Sequence, residues 1–286
     1  MNRLLKAGAF VSLGLILSSC AAAPKKLLID PFPLRFPLVE AGTLEIDGQI
    51  AGQPRARDGI VYYATREGQL TAVVARSRSI LWRRPVDGAD PDSIVQAGSP
   101  VDAAGPPLKI EGSRLQAIDG TGRILWEFAA GGTIRVEPVT RDGRVYFGDS
   151  DRMFYCLNAA TGKVKWRRRL QGAALHPAVI RGRTVAVAAS NSVIYFLSRN
   201  GGSILSWEAI PSRVVYEPAA AGATLLVASA AEALWAYDLK TAKRIGQVVT
   251  SGTPTAGALW VPPFVILFEE SPEPGGRERI VFLRSR

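Results

Sequence analysis

An internal self-similarity with a period near 40 residues governs what this chain can fold into. A repeat of that size is a supersecondary unit that buries its apolar face only by stacking on its neighbours. Six prolines mark it, each ahead of a short polar step and an apolar run: Pro54, Pro100, Pro138, Pro177, Pro218 and Pro254, separated by 46, 38, 39, 41 and 36 residues. Tryptophans end four of the units in the same phase: Trp82, Trp126, Trp166 and Trp207, separated by 44, 40 and 41. In the fifth unit the aligned position falls near Ile245, and the tryptophan is lost there.

Within a unit the segments read as strands. The third unit runs through residues 136–140, a turn at Arg141-Asp142-Gly143, then 144–148, 153–157, a turn at Ala160-Thr161-Gly162, and 163–170. Runs of four to eight residues rich in Val, Tyr, Phe and Trp, punctuated by Asp-Gly and Thr-Gly, are strand and turn signals. Four short strands in about 40 residues is the size of a propeller blade. Hairpin-type turns favour antiparallel pairing over the competing parallel solenoid. The 28 glycines and 19 prolines suit a chain of many turns. The last unit supplies three strands, near 254–261, 264–269 and 279–283, while residues 39–47 form an alternating run with no blade of its own. That run is expected to complete the last blade and close the ring, which removes an exposed sheet edge. The expectation is an all-β propeller of about six four-stranded blades over residues 38–286, or seven if the 46-residue first interval holds extra structure.

The N-terminus reads as a targeting segment. Arg3 and Lys6 form a basic n-region, residues 7–17 are apolar, and Leu17-Ser18-Ser19-Cys20 follows. A spanning helix needs about 20 apolar residues, so this stretch is short for one. It resembles the lipobox of bacterial lipoproteins, which implies a signal peptide at 1–19 and a diacylated Cys20. The residue after the cysteine is Ala21, not Asp. By resemblance to the enterobacterial sorting rule this favours the periplasmic face of the outer membrane. Residues 20–37, with Pro24, Pro31, Pro33 and Pro37, read as an extended tether.

The segment Tyr155-Cys156-Leu157-Asn158-Ala159-Ala160-Thr161-Gly162-Lys163-Val164-Lys165-Trp166 resembles the PQQ-type propeller repeat, Ala-x-Asp-x-x-Thr-Gly-x-x-x-Trp. Residues 115–126, ending Asp119-Gly120-Thr121-Gly122-Arg123-Ile124-Leu125-Trp126, follow the same pattern. Weaker copies end at Trp82 and Trp207, and a decayed one begins at Ala236. The resemblance implies that the Thr-Gly turn joins the two outer strands and that Trp82, Trp126, Trp166 and Trp207 dock between blades.

Three functional readings follow. Quinoprotein dehydrogenases with this repeat have eight blades, an adjacent-cysteine disulfide against the quinone and a calcium site. This chain has only Cys20 and Cys156, so no PQQ, no other cofactor and no enzymatic activity is expected. A propeller behind a lipobox is similar to the BamB-type accessory subunit of the outer-membrane β-barrel assembly machinery. That likeness implies a protein-docking scaffold, held to the membrane by Cys20, binding other envelope proteins as a monomer within a complex. The third reading is a ligand or metal sensor using the propeller channel. The residues before successive marker prolines include Glu137, His176 and Glu217, a carboxylate–imidazole–carboxylate set suited to Zn²⁺ or Mn²⁺. The alternatives are a polar channel lining in which the glutamates raise the pKa of His176, or side chains turned into the sheets by a one-residue slip.

Net charge is +10, from 35 Lys+Arg against 25 Asp+Glu. Arg83-Arg84 and Arg167-Arg168-Arg169 follow Trp82 and Trp166, but Glu127 and Glu208 take the same step after Trp126 and Trp207. A solvated rim explains this pattern better than a basic patch for an acidic partner or headgroups. No nucleic acid is expected as a partner.

Overall fold

Every element of the computed structural model, which describes residues 34–86, 105–230 and 232–286, is a β-strand or a connection between strands. The targeting segment, Cys20, the tether up to residue 33 and the Pro100 marker lie outside the described residues.

The chain begins with β1 (Leu38–Glu45). The first sheet then follows as β2 (Ile50–Arg57), β3 (Ile60–Thr65), β4 (Gln69–Val74) and β5 (Ser79–Pro85). The second is β6 (Leu108–Glu111), β7 (Arg114–Ile118) and β8 (Ile124–Ala129), with three strands among the described residues. The third is β9 (Val139–Arg141), β10 (Arg144–Gly148), β11 (Met153–Asn158) and β12 (Val164–Arg169). The fourth is β13 (Val179–Arg181), β14 (Thr184–Ala189), β15 (Val193–Ser198) and β16 (Ile204–Ala209). The fifth is β17 (Ala219–Ala221), β18 (Thr224–Ser229), β19 (Ala233–Asp238) and β20 (Lys243–Val249). The last is β21 (Leu259–Val261), β22 (Phe264–Glu270) and β23 (Glu278–Ser285), with β1 as its outer strand. Pairing is antiparallel throughout, and the β1–β23 pairing runs from Leu38↔Ser285 to Glu45↔Arg279. This is the architecture of a β-propeller.

Consecutive sheets pack face to face, and the first packs on the last. Ile46, Ile50, Val61 and Tyr63 share one apolar cluster with Leu259, Ile266, Phe268 and Phe282. Middle strands therefore have both faces covered, and every residue of β14 and β18 is buried. Their near-continuous apolar sequences follow from that two-sided burial.

Innermost strands begin at 139, 179, 219 and 259, and second strands at 144, 184, 224 and 264, so the structural period there is 40 residues. The prolines do not keep this phase. Pro138 and Pro218 sit one residue before β9 and β17, but Pro177 sits two before β13 and Pro254 five before β21. A helical or solvent-facing loop would tolerate such slips; a strand does not, because one residue reverses which face a side chain takes.

The Asp/Asn-x-x-Thr-Gly phrase has a local cause. Asn158 Oδ1 accepts hydrogen bonds from the amides of Ala160 and Thr161, and Asp119 Oδ1 from those of Thr121 and Arg123. These Asx turns reverse the chain between the two outer strands. Gly162 closes its turn at φ +68°, where an L side chain is strained.

Candidate functional site

Two regions of the fold gather the side chains singled out by sequence: the outer junctions between sheets, and the space enclosed by the innermost strands.

At the outer junctions a repeated bulge sets which residue faces the next sheet. Each outer pair shifts register after the same position: Ala72↔Trp82, Ala117↔Trp126, Cys156↔Trp166, Phe196↔Ser206 and Ala236↔Gly246. Trp126 and Trp166 are 8% and 7% exposed. Trp126 Nε1–H donates to the Ala159 carbonyl at 2.8 Å, and Trp166 Nε1–H to the Arg199 carbonyl at 2.9 Å. Each indole lies on a glycine of the next sheet's turn. A Cβ on Gly162 would lie 2.7 Å from Trp126 Cδ2, and one on Gly202 would lie 2.4 Å from Trp166 Cε3.

Two other tryptophans differ from the docking expectation. Trp207 is 61% exposed. It pairs with Tyr195, one position past the docking register, and Ser206 holds the equivalent place. The sequence spacing of 41 instead of 40 carries this slip, and the slip turns the indole to the other face. Trp82 is half-buried, with Arg84 4.6 Å above its ring and Tyr62 beside it. At the fifth sheet the docking position is Gly246, and the ring is supplied by Phe36, whose Cδ1 lies 2.3 Å from where a Gly246 Cβ would be.

The innermost strands enclose a cavity of about 250 Å³ lined by Gln53, Arg55, Arg141, Arg181, Glu217 and apolar residues. Glu217 pairs with Arg55 at 3.1 Å. Gln53 joins the first and last sheets: its Oε1 accepts the Gly257 N–H at 3.0 Å and its Nε2 donates to the Gly257 carbonyl at 3.3 Å. Only glycine fits there, because a Cβ would lie 2.6 Å from both Gln53 Oε1 and the Glu217 carbonyl.

Glu137, His176 and Glu217 do not converge. By strand register Glu137 and Glu217 correspond to Pro177, while His176 corresponds to Val136 and Tyr216. His176 Nε2 is 3.3 Å from the Val214 carbonyl, and Tyr216 O–H donates to the Pro254 carbonyl at 2.7 Å, both reaching 38 residues ahead. They are equivalent brackets onto the following sheet. Burial holds the His176 pKa below its ordinary value; the Val214 carbonyl and, more weakly, Glu217 act against that shift without reversing it. The expected rise is therefore corrected to a fall, since desolvation of the imidazolium outweighs one carboxylate. Glu137 is exposed, and no group of three His, Cys, Asp or Glu among the described residues is placed to hold a metal ion.

A repeated buried polar position went unread in the sequence. Asp149 accepts from Tyr155 O–H at 2.9 Å and from the amides of Met153 and Gly132. Forty residues apart, Ser229 accepts from Trp235 Nε1–H, and Glu269 pairs with Arg279 at 2.6 Å. Isolated polar residues ending apolar strands were its only signal. The basic residues after Trp166 divide: Arg167 and Arg169 are exposed, while Arg168 Nε donates to the Gly202 carbonyl.

Residues 111–265 match the family model of the outer membrane protein assembly factor BamB. The chain belongs to the BamB family. Among curated members it is 22% identical to BamB of Legionella pneumophila over 186 residues, which is 62% of this chain and 48% of that one. To BamB of Escherichia coli K12 it is 26% identical over 173 residues, 55% of this chain and 40% of that one. The chain thus spans about half the length, or less, of these BamB relatives. The crystal structure of BamB from Moraxella catarrhalis aligns with 85% of this chain and 63% of that one, at 19% identity and a TM-score of 0.48.

Proposed function

We propose that this chain is a lipid-anchored envelope protein that acts as a non-catalytic docking scaffold in outer-membrane β-barrel protein assembly. The observation that carries this reading is the BamB family match across residues 111–265. In this reading the propeller has six blades, with β1 closing the ring on β23, and Cys20 carries the lipid that holds it to the periplasmic face of the outer membrane. No quinone takes part. Supporting this, the sequence has no adjacent-cysteine pair. His176, its only imidazole, faces the Val214 carbonyl, which gives it no place in a nucleophile–base relay.

The experiment is affinity capture from detergent-solubilised envelopes with the native anchor intact, beside a Cys20→Ser variant. Recovery of β-barrel assembly proteins, with membrane attachment lost in the variant, is the expected result. Capture that recovers none of them overturns the assembly role, and an unmodified mature N-terminus beyond Cys20 in mass spectra overturns the anchor.

A further inference from the structure

Four consecutive junctions, from the second sheet to the last, can be compared position by position. Trp126 fills the first, Trp166 the second and Phe36 the fourth. The third, between the β13–β16 and β17–β20 sheets, has Ser206 at the docking position. Its receiving turn has Ala242 at φ +57°, where the occupied junctions have glycine. Loss of the indole and loss of the glycine that accommodates it occur together.

Further residues change with them. At the Trp166 junction Arg199 fills the outer groove, reaching Tyr146 O–H at 3.2 Å and Asp142 at 2.6 Å, while Arg144 donates to the Arg199 carbonyl. Forty residues on, the same places hold Leu239, Ala186, Gly182 and Thr184. Phe196 and Tyr237, 5.8 Å apart between ring centres, replace Cys156 and Leu197 and fill the inner part of the gap. The outer part stays open as a cleft of about 580 Å³, with Leu205 on one wall and Leu239 on the other. Leu205 is the extra residue of the outer-strand bulge and is 54% exposed. Arg183 and Lys240 stand on the rim, and no carboxylate is among the lining residues.

We propose that this cleft is a docking site for an aromatic side chain carried on an acidic polypeptide partner. The sister junctions define the occupant's shape: a flat ring lying against the receiving turn, with a ring N–H or O–H aimed at the Leu239 carbonyl as Trp166 is aimed at Arg199. The rim cations select carboxylates flanking that ring. A ring entering here would cover Leu205 and Leu239, the apolar walls now left to water. The inference rests on the repeat geometry and stands apart from the assembly role, so either can fail alone.

The test is fluorescence anisotropy of a fluorescein-labelled Gly-Asp-Trp-Asp-Gly peptide with the purified full-length chain in detergent. Saturable binding is expected, and replacing the peptide's Trp by Ala should weaken it about tenfold or more, as should the double variant Arg183→Glu/Lys240→Glu. The variant Ser206→Trp/Ala242→Gly rebuilds the internal indole and should abolish binding while circular dichroism stays unchanged. Should that variant not fold, the rim variant decides alone: undiminished affinity overturns the proposal. Equal binding of the alanine peptide, or no saturable binding, also overturns it. So does concentration-dependent self-association abolished by Trp207→Ala, which would make a second copy the occupant.

Discussion

Replacing Trp166 by alanine measures how much of the fold's stability resides in one junction. The side chain is 7% exposed and packs against Tyr146, Phe154 and the Gly202 turn. An indole buries about 150–250 Å², worth about 4–6 kcal/mol as an upper bound at about 25 cal/mol per Å². Alanine retains part of the contact and the cavity relaxes in part, which brings the expected loss to about 3–5 kcal/mol. The hydrogen-bond part is separable. At this site the Arg199 carbonyl keeps a second donor, Arg144 Nη1 at 2.6 Å. At Trp126 the acceptor is the Ala159 carbonyl, so Trp126→Phe should cost about 1 kcal/mol more than Trp166→Phe. Trp207→Ala, at an exposed position, should stay within about 0.5 kcal/mol of the parent. Urea titrations followed by far-ultraviolet circular dichroism give the midpoints, and an unchanged m-value licenses their comparison. A cost below about 1 kcal/mol for Trp166→Ala, or equal costs at Trp166 and Trp207, would refute the assignment of the docking register.

Gly162→Ala should destabilise by about 2 kcal/mol or more, from strain at positive φ and the approach of its Cβ to Trp126; a thermal shift under about 2 °C would contradict this. Gln53→Ala removes both partners of Gly257 and should raise hydrogen exchange at that amide, with protection unchanged at Val227 in the fifth sheet; unchanged protection at Gly257 would show that the contact is incidental. His176 has a folded pKa below its unfolded value near 6.5, so the unfolded chain takes up the proton first on acidification. Its contribution is present above pH 6.5 and falls as the pH drops towards the folded pKa, and His176→Gln should flatten that part of the urea-midpoint profile. A profile identical in the variant would contradict the burial. Cys156 is buried, and burial raises its thiol pKa, so thiol reagents should label it only with the unfolding rate; rapid labelling of the native chain would place it at the surface.

Much of the architecture was legible because it rests on local signals. Asp119, Asn158 and Asp238 each begin an Asx turn, and the strand residues between them alternate or run apolar according to how many faces are covered. The period near 40 follows from chain reversal at these turns. Register within the period was legible only to one residue, which suffices to name a blade and fails to say where a side chain points. Trp207 and His176 show the consequence. Both keep the residue type of their repeat position while standing one step out of phase, and a strand converts one step into the opposite face. The Glu137, His176 and Glu217 set dissolves for that reason.

The sequence by itself determined the strand class, the repeat, the turn chemistry and the family, since each is carried by neighbours along the chain. Tertiary structure alone decided what crosses between repeats: Phe36 standing in for a missing tryptophan at Gly246, Gln53 holding Gly257 from 204 residues away, and a cleft where Ser206 leaves its junction without a ring. The physical reason is that a junction's packing depends on volumes summed over two sheets. A small residue on one sheet means a cavity, a repacked core or a borrowed side chain according to what the other sheet supplies.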